Sequence, residues 1–420
     1  MKHKTIYQLL SLIIITAAVY AQILWHDFFY HWDDQWVVIN SFTESGFTAD
    51  NLWNVLTTFY HGQYAPMNEL SYIVVHSLFG FDAAAFHGAS ILWHIGNVVL
   101  VYLFVAALLP MMGEGLGERK GRTVAWLTAL AFAVHPVGVE SVAWISASKI
   151  LVYSFFYFLA LNVYLVYVRK PTLWRYGALA VLFLLSFFGK EQAVVLPLAF
   201  LLIDGVTKRM ETWRNLVAEK LPFFVMAMFF GIVTILSQGH SPSMPEYGTV
   251  ARVIYACNAL CDYLFRSLLP INLSYIYPFP TQPGDPLPLT LYVYPLLVAA
   301  AVFYVYKRRT NKMLLFCAMF FLIHLLVTVH IISLSRFTLT ADRYAYLALV
   351  APSLFLAWLV VTCRDKCSSS KLAVAAYAAY VFSFAAYTVV YTKQWKDSDT
   401  LKSHVREVLK ERSPLIDKKH

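Results

Sequence analysis

Long apolar runs divide the chain at residues 5–25, 88–109, 123–136, 141–168, 173–189, 191–206, 222–237, 288–306, 313–332, 344–362 and 372–391. Each approaches the ~20 residues that a helix needs to cross a bilayer core, and the segments between them are polar. The pattern predicts an all-α polytopic membrane protein with about eleven transmembrane helices. The first run, "IYQLLSLIIITAAVYAQILW", follows the basic "MKHK" like the start of a signal peptide. No small-residue cleavage site precedes the bulky "WHDFFYHW", so a retained signal-anchor is expected. Residues 26–87 form a long loop with short amphipathic helices predicted around 49–60 and 67–79. The run 251–269, "ARVIYACNALCDYLFRSLL", carries Arg252, Asp262 and Arg266. If it crossed, the basic "KRRTNK" would change sides, so it is expected as an interfacial or re-entrant helix. Residues 1–391 read as one transmembrane domain, and 392–420 as a short charged tail.

Composition supports the pattern. Of 420 residues, 59% are hydrophobic and 14% charged, against about 25% charged in soluble domains. A net charge of +9 raises a nucleic-acid reading, which the placement of the 33 Lys and Arg opposes. Nineteen lie in segments that share one side, among them Arg119–Arg122, Arg169–Arg175, Lys208–Lys220 and Lys307–Lys312, and eight lie in the tail. The positive-inside rule makes that shared side cytoplasmic. The other six, Lys149, Lys190, Arg252, Arg266, Arg336 and Arg343, fall at or near the outer face. Cations set against the orientation bias are candidates for function, and as a set they point to an anionic ligand. The five cysteines show no metal-ligand or disulfide framework: Cys257 and Cys261 are four apart on one helix.

Acids and histidines follow the same geography. Asp33, Asp34, Glu69, Glu140, Glu191 and Asp342 are all expected on the outer side, with His26, His31, His61, His87 and His135. The first loop has no Lys or Arg, so its acids lack local partners. In "WDDQW", Asp33 and Asp34 are flanked by aromatic rings. A carboxylate in such a setting has a raised pKa and suits general-base work. The pair could also contribute to a divalent-metal site, although hard cations need several oxygens. In "HPVGVESVAWISASKIL", Pro136 ends one helix, and a regular helix beyond it would place Glu140 and Trp144 on one face with Lys149 slightly rotated. "GKEQ" places Lys190 and Glu191 at a second tight turn, and "ADRY" places Asp342 and Arg343 at the start of a span. Paired charges in helical hairpins would explain each turn singly. Together they suit phosphate binding by Lys and Arg with proton transfer by carboxylates.

The order of "WDDQWVVIN", "YAPMNELSY", "FHGASILWHIGN", "HPVGVESVAWISASKILVYSFFYFLALNVYLVY", "GKEQAVVLPLAFLLID" and "ADRYAYL" resembles the membrane-embedded GT-C glycosyltransferases. The nearest resemblance is to the transmembrane part of the transmembrane-and-tetratricopeptide O-mannosyltransferases and their bacterial relatives, over about residues 25–350. It implies a polyprenyl-phosphate sugar donor and an outward-facing site. Asp33 and Asp34 match the family's acidic pair, and Lys149, Lys190 and Arg343 match basic positions for the lipid phosphate. Glu140, Glu191, Asp342, His87, His135 and Trp144 would support them, and His94 and Asn97 extend a polar helix face that packing would equally explain. The chain departs from the family pattern at Ala65, where "YRP" is usual, and at Ile150, where Asp follows the Lys. The repeats are absent from this sequence; "QWKDSDTLKSHVREVLKERSP" resembles the beginning of a first repeat helix.

The expected activity is an inverting transfer of one sugar from a lipid phosphate to a Ser or Thr hydroxyl of an extracytoplasmic protein, with Asp33 or Asp34 as base. No cofactor is required, and a divalent metal is compatible without being demanded. The same chemistry on a lipid or glycan acceptor, such as lipid A or a cell-wall polymer, is the nearest alternative. A transporter or flippase is the alternative from another class, although its charges usually sit at mid-membrane within internal repeats. The absence of repeats points to a bacterial inner membrane, with the site facing the periplasm or the outside and no nucleic-acid partner.

Overall fold

Among the described residues, each apolar run carries helix and no strand forms. A computed structural model describes residues 2–113, 115–209, 212–238, 247–329, 338–363 and 370–412. The short loop helices form at Ala49–Thr57 and Pro66–Phe79, and the 251–269 run forms a helix at Thr249–Leu268. Length and composition alone support fewer spans than the eleven expected, among the described residues. Six helices are long and apolar enough to cross a membrane: Lys4–Trp25, Ala83–Met112, Ile145–Arg169, Trp213–Ser237, Leu289–Lys307 and Lys371–Trp395. A seventh follows if Glu118–Ala133 and Pro136–Ala143, bent by 53°, count as one. Leu173–Gly189, Lys312–Leu325 and Val350–Cys363 are apolar but shorter. Thr249–Leu268 is not among the six.

The apolar surface faces outward where a soluble protein would hide it. In Leu289–Lys307 only 6% of the apolar window is buried, and Leu296 is 70% exposed. Such a surface is stable against acyl chains and not against water, as an integral multi-pass membrane protein requires.

Contacts sort the connecting segments into two ends. At one end, Asp27 N donates to Lys396 O at 2.9 Å, Lys149 Nζ to the Gln63 side chain at 2.6 Å, and His135 Nε2 meets Ser267 O at 3.0 Å. The first loop, the 134–149 and 189–195 turns, the 262–292 segment, the 339–346 turn and the start of the tail therefore meet there. At the other end, Arg169 reaches Ala107 O at 2.9 Å and Lys312 reaches Met112 O at 2.6 Å. There, too, Asp204 and Glu219 neutralise Arg209 and Lys220, with Tyr164 donating to Asp204 at 2.6 Å. The basic loops gather at this second end; the 364–369 loop lies outside the described residues. Trp395 is fully buried against Phe29 and Trp144, so residues up to 395 are packed into the helical body, and the tail helix Ser398–Arg412 begins beside the first loop.

Candidate functional site

Four breaks in the helices build the site. The expected regular helix from Glu140 to Lys149 does not form. Val139–Ala143 stops at Trp144, whose backbone is extended, a 3-10 turn covers Ile145–Ala147, and the long helix starts at Lys149. The cause is Asp34. Its Oδ1 accepts from the Ser146 backbone N–H at 3.0 Å and from the Ser146 hydroxyl, and its Oδ2 accepts from Phe29 N–H at 2.9 Å. A loop carboxylate thus takes the backbone donor that a continuous helix would have used.

Lys190 arrives through a close approach. A Cβ on Gly189 would stand 2.8–2.9 Å from Tyr153, so only glycine lets this helix end press on the Lys149–Arg169 helix one turn from its start. Ser186 Oγ donates to Tyr153 O at 2.9 Å and fixes the crossing. Lys190 follows in extended conformation, pairs with Glu191 at 3.2 Å, and lies 5.7 Å from the Tyr344 ring centre. Its ammonium is close enough to Lys149 for mutual repulsion.

Arg343 sits in the turn Asp342–Ala345, where Glu140 holds it twice. The fully buried Glu140 carboxylate accepts from the Arg343 backbone N–H at 2.7 Å and from its guanidinium. Around that guanidinium stand the rings of Trp144, Tyr275 and Tyr344, at 5.5, 6.0 and 4.9 Å. Burial among aromatic faces beside a carboxylate keeps Arg343 charged, with its pKa well above the ordinary value.

Asp33 completes the arrangement. It is half-buried at the head of the short helix Asp34–Val37 and hydrogen-bonded by Trp36. Burial raises its pKa, while Lys149 and Arg343 pull against that rise. Asp34 is 1% exposed, and burial pushes it up to about 6 despite three donors. The two acids therefore differ in kind: Asp34 has both oxygens engaged by the scaffold, and Asp33 faces the cations.

The other expected residues divide as sharply. Trp144 is part of the site. Asp342 supports it from below, accepting from Arg266 at 3.1 Å and from Tyr277 OH at 3.0 Å. Arg266 also bonds Asp262 and Thr340 and stacks 3.8 Å from the Tyr277 ring, so its donors serve the scaffold. His135 caps Val137 N–H at 3.2 Å and contacts Ser267, which spends both ring nitrogens on the break before Pro136. His87 is buried edge-on to His26 at 5.9 Å and touches none of the three cations. His94 and Asn97 bind Tyr346 and backbone carbonyls and belong to internal packing. Of six stray cations, three converge; Arg266 is engaged elsewhere, Arg252 is half-buried on the Thr249–Leu268 helix, and Arg336 lies outside the described residues.

The geometry also adds residues the sequence did not single out. Tyr344 and Tyr275 wall the cation cluster, and Trp32 Nε1 donates to Tyr275 OH at 2.9 Å. Trp395 stacks on Trp144 at 6.1 Å beneath them. Gln63 and Glu69, from the first loop, reach Lys149 by hydrogen bond and by charge. The tyrosine next to Arg343 in "ADRY" was the readable signal; Trp395 and Tyr275 come from distant segments and had none. Among the described residues, no three His, Cys, Asp or Glu side chains gather as a metal-binding group. Both Asp34 oxygens accept from the scaffold, Oδ1 from Ser146 and Oδ2 from Phe29 N–H. No family model matches the chain, and no curated protein matches it.

Proposed function

We propose that the protein is a membrane glycosyltransferase of GT-C type that moves one sugar from a polyprenyl phosphate to a hydroxyl, with inversion. The observation that carries the reading is the convergence of Lys149, Lys190 and Arg343, from three separate turns, around Tyr344 and opposite Asp33. Lys149 is held by a neutral amide and repelled by Lys190, which itself pairs with Glu191, so Lys149 in particular suits a further anion. A lipid phosphate supplies that anion and keeps its chain in the bilayer beside the apolar helices. This site has the make-up expected of phosphate recognition and of electrostatic stabilisation of a departing phosphate.

In the proposed step, Asp33 takes the acceptor hydroxyl's proton as the oxygen attacks the anomeric carbon from the face opposite the phosphate. The bond from that carbon to the phosphate oxygen breaks, and the phosphate leaves with the bonding pair against Lys149, Lys190 and Arg343. The proton on Asp33 then returns to solvent. Asp34 is assigned to the scaffold. The acceptor is proposed to be Ser or Thr of an extracytoplasmic protein; a lipid or glycan hydroxyl would be served by the same chemistry.

The same reading places the site end outside the cytoplasm and the basic end inside, consistent with the positive-inside rule. It takes the three shorter apolar helices and Leu196–Thr207 with its preceding 3-10 turn as crossings, giving eleven in a bacterial inner membrane. The decisive experiment supplies purified protein in nanodiscs with polyprenyl-phosphate sugars and with peptide, lipid and glycan acceptors. Transfer by the wild type and its loss in Asp33→Asn and Lys190→Ala are expected. Solute uptake into vesicles without sugar transfer would refute the reading in favour of a transporter.

A further inference from the structure

Of the three converging cations, Lys149 alone is held by a neutral group. Glu191 stands 3.2 Å from Lys190 and Glu140 clasps Arg343, whereas Lys149 donates at 2.6 Å to the side-chain amide of Gln63 in the first loop. An ammonium only donates, so the atom facing it is Oε1, and the amide N–H₂ lies alongside on the same planar group. Among the described residues that N–H₂ has no hydrogen-bond partner, and the Lys149 ammonium has no second one. Donors from both groups therefore stand side by side without a protein acceptor. The backbone holds the amide there. Tyr60 and Gln63 exchange backbone hydrogen bonds at 3.0 and 2.9 Å, and His61 and Gly62 between them have φ of +47° and +72°. Two central residues with positive φ fit the type I′ turn. Tyr64 then donates to Leu56 O at 2.8 Å and stands edge-on to Phe188, 5.9 Å away. Phe188 precedes Gly189 and Lys190, so one arm of the first loop rests against the turns of both lysines.

We propose that Gln63 is a fourth ligand of the donor phosphate: its amide N–H₂ donates to a phosphoryl oxygen while its Oε1 keeps hold of Lys149. The assignment rests on the lipid-phosphate reading above. A phosphoryl oxygen bound by the Lys149 ammonium comes within hydrogen-bond reach of the amide that shares this ammonium. Hydrogen bonds to a charged acceptor are the strong ones, and a neutral amide supplies them without bringing a carboxylate that would repel the phosphate. The donor site is then closed by two parts of the fold. The helix breaks supply the cations, and the first loop, which also carries Asp33, supplies the neutral donor. Trp36 joins the two ends of that loop, because it bonds Asp33 and its ring lies 5.0 Å from that of His61.

The test titrates polyprenyl phosphate into full-length protein in zwitterionic nanodiscs, with polyprenol, which lacks the phosphate, as control. Gln63→Ala keeps the turn, whose backbone bonds do not involve the side chain, and is expected to weaken polyprenyl phosphate binding by about 10- to 100-fold. Its affinity for polyprenol should match wild type. The same substitution in a Lys149→Met background separates a ligand from a residue that merely positions Lys149. A ligand costs a further loss there, and a positioning residue costs none. A through-space coupling between the Gln63 amide nitrogen and the bound phosphorus in solid-state NMR, lost in Gln63→Ala, is expected as well. It decides the matter where Lys149→Met binds too weakly to titrate. Unchanged or tighter binding by Gln63→Ala, no further loss in the Lys149→Met background, or no such coupling would overturn the assignment and leave the lipid-phosphate reading intact. Wild-type protein that binds polyprenyl phosphate no better than polyprenol would overturn both.

Discussion

Neutralising each acid of the Asp33–Asp34 pair in turn should produce two different failures. Asp33→Asn removes the proposed base and touches little of the scaffold, because half-buried Asp33 is bonded at its side chain by Trp36. General-base catalysis is worth about 10²- to 10⁴-fold, so kcat should fall by that factor. Donor KM should hold or drop, since one negative charge leaves the vicinity of Lys149 and Arg343. Asp34→Asn is a structural lesion. If the amide oxygen keeps Ser146, the amide N–H₂ faces Phe29 N–H across 2.9 Å. One charge-assisted bond is lost and one buried donor is stranded, a cost of about 2–4 kcal/mol. In a chain this size that is roughly 4–8 °C in Tm, with a smaller loss of activity following from the displaced loop. The assay is donor-dependent transfer, with kcat and KM separated, beside thermal unfolding of the same preparations in detergent. The reverse pattern would refute the division of labour: a stable, inactive Asp34→Asn with an active Asp33→Asn.

Three further outcomes follow from the same contacts. Burial pushes Glu69 up to about 7, above the ~4.3 of an unfolded chain, so its stabilising contribution is complete below pH 4.3 and lost as pH rises through 7. Tm should therefore fall between pH 5 and 8, and Glu69→Gln should flatten that slope. Glu140→Gln leaves the Arg343 charge without its carboxylate; Arg343 is 19% exposed on its side chain, so the cost should lie toward the lower end of the ~3–5 kcal/mol for broken buried pairs. Thermal unfolding reads that cost, and donor binding should weaken with it. Trp395→Ala empties a fully buried site between Phe29 and Trp144; a loss of about 3–5 kcal/mol in chemical denaturation is expected, with activity falling because Trp144 loses its support.

Hydrophobic runs are legible because a bilayer-facing helix needs no partner to justify its apolar residues, and each predicted run carries helix within its described residues. Helix interruptions are not legible in the same way. Nothing in "ESVAWISASK" announces that Ser146 will bond an aspartate 112 positions earlier, so the sequence reads as one continuous helix there. The three cations of the site were visible as charges outside the basic loops, whereas Arg266 carried the same signal and proved to be scaffolding. Its partners, Asp262, Thr340 and Asp342, lie in segments whose proximity depends on the tertiary fold. Gln63 was invisible as a site residue, and Glu69 was visible only as one outer-side acid among several, since their link to Lys149 crosses from the first loop to a helix about 80 residues on.

The shortened helices and the site have one origin. Backbone inside a membrane protein has to be hydrogen-bonded, and irregular stretches survive only where other groups satisfy them. At several breaks a buried polar side chain does so: Asp34 takes Ser146 N–H, Glu140 takes Arg343 N–H, His135 takes Val137 N–H, and Tyr263 OH takes Ala341 N–H at 3.1 Å; at Gly189 the Lys190 N–H returns to Ser186 O at 3.1 Å. These residues look functional in sequence because they are polar within apolar surroundings, yet their chemistry is spent on the backbone. What a break positions is the side chain beside it. Asp33 precedes Asp34, Lys149 follows the Ser146 turn, Lys190 follows Gly189, and Arg343 lies in the turn Glu140 secures. A polar residue here belongs to the scaffold when its atoms close a break and to the site when it stands next to one, and by that rule the two neighbouring aspartates fall on opposite sides.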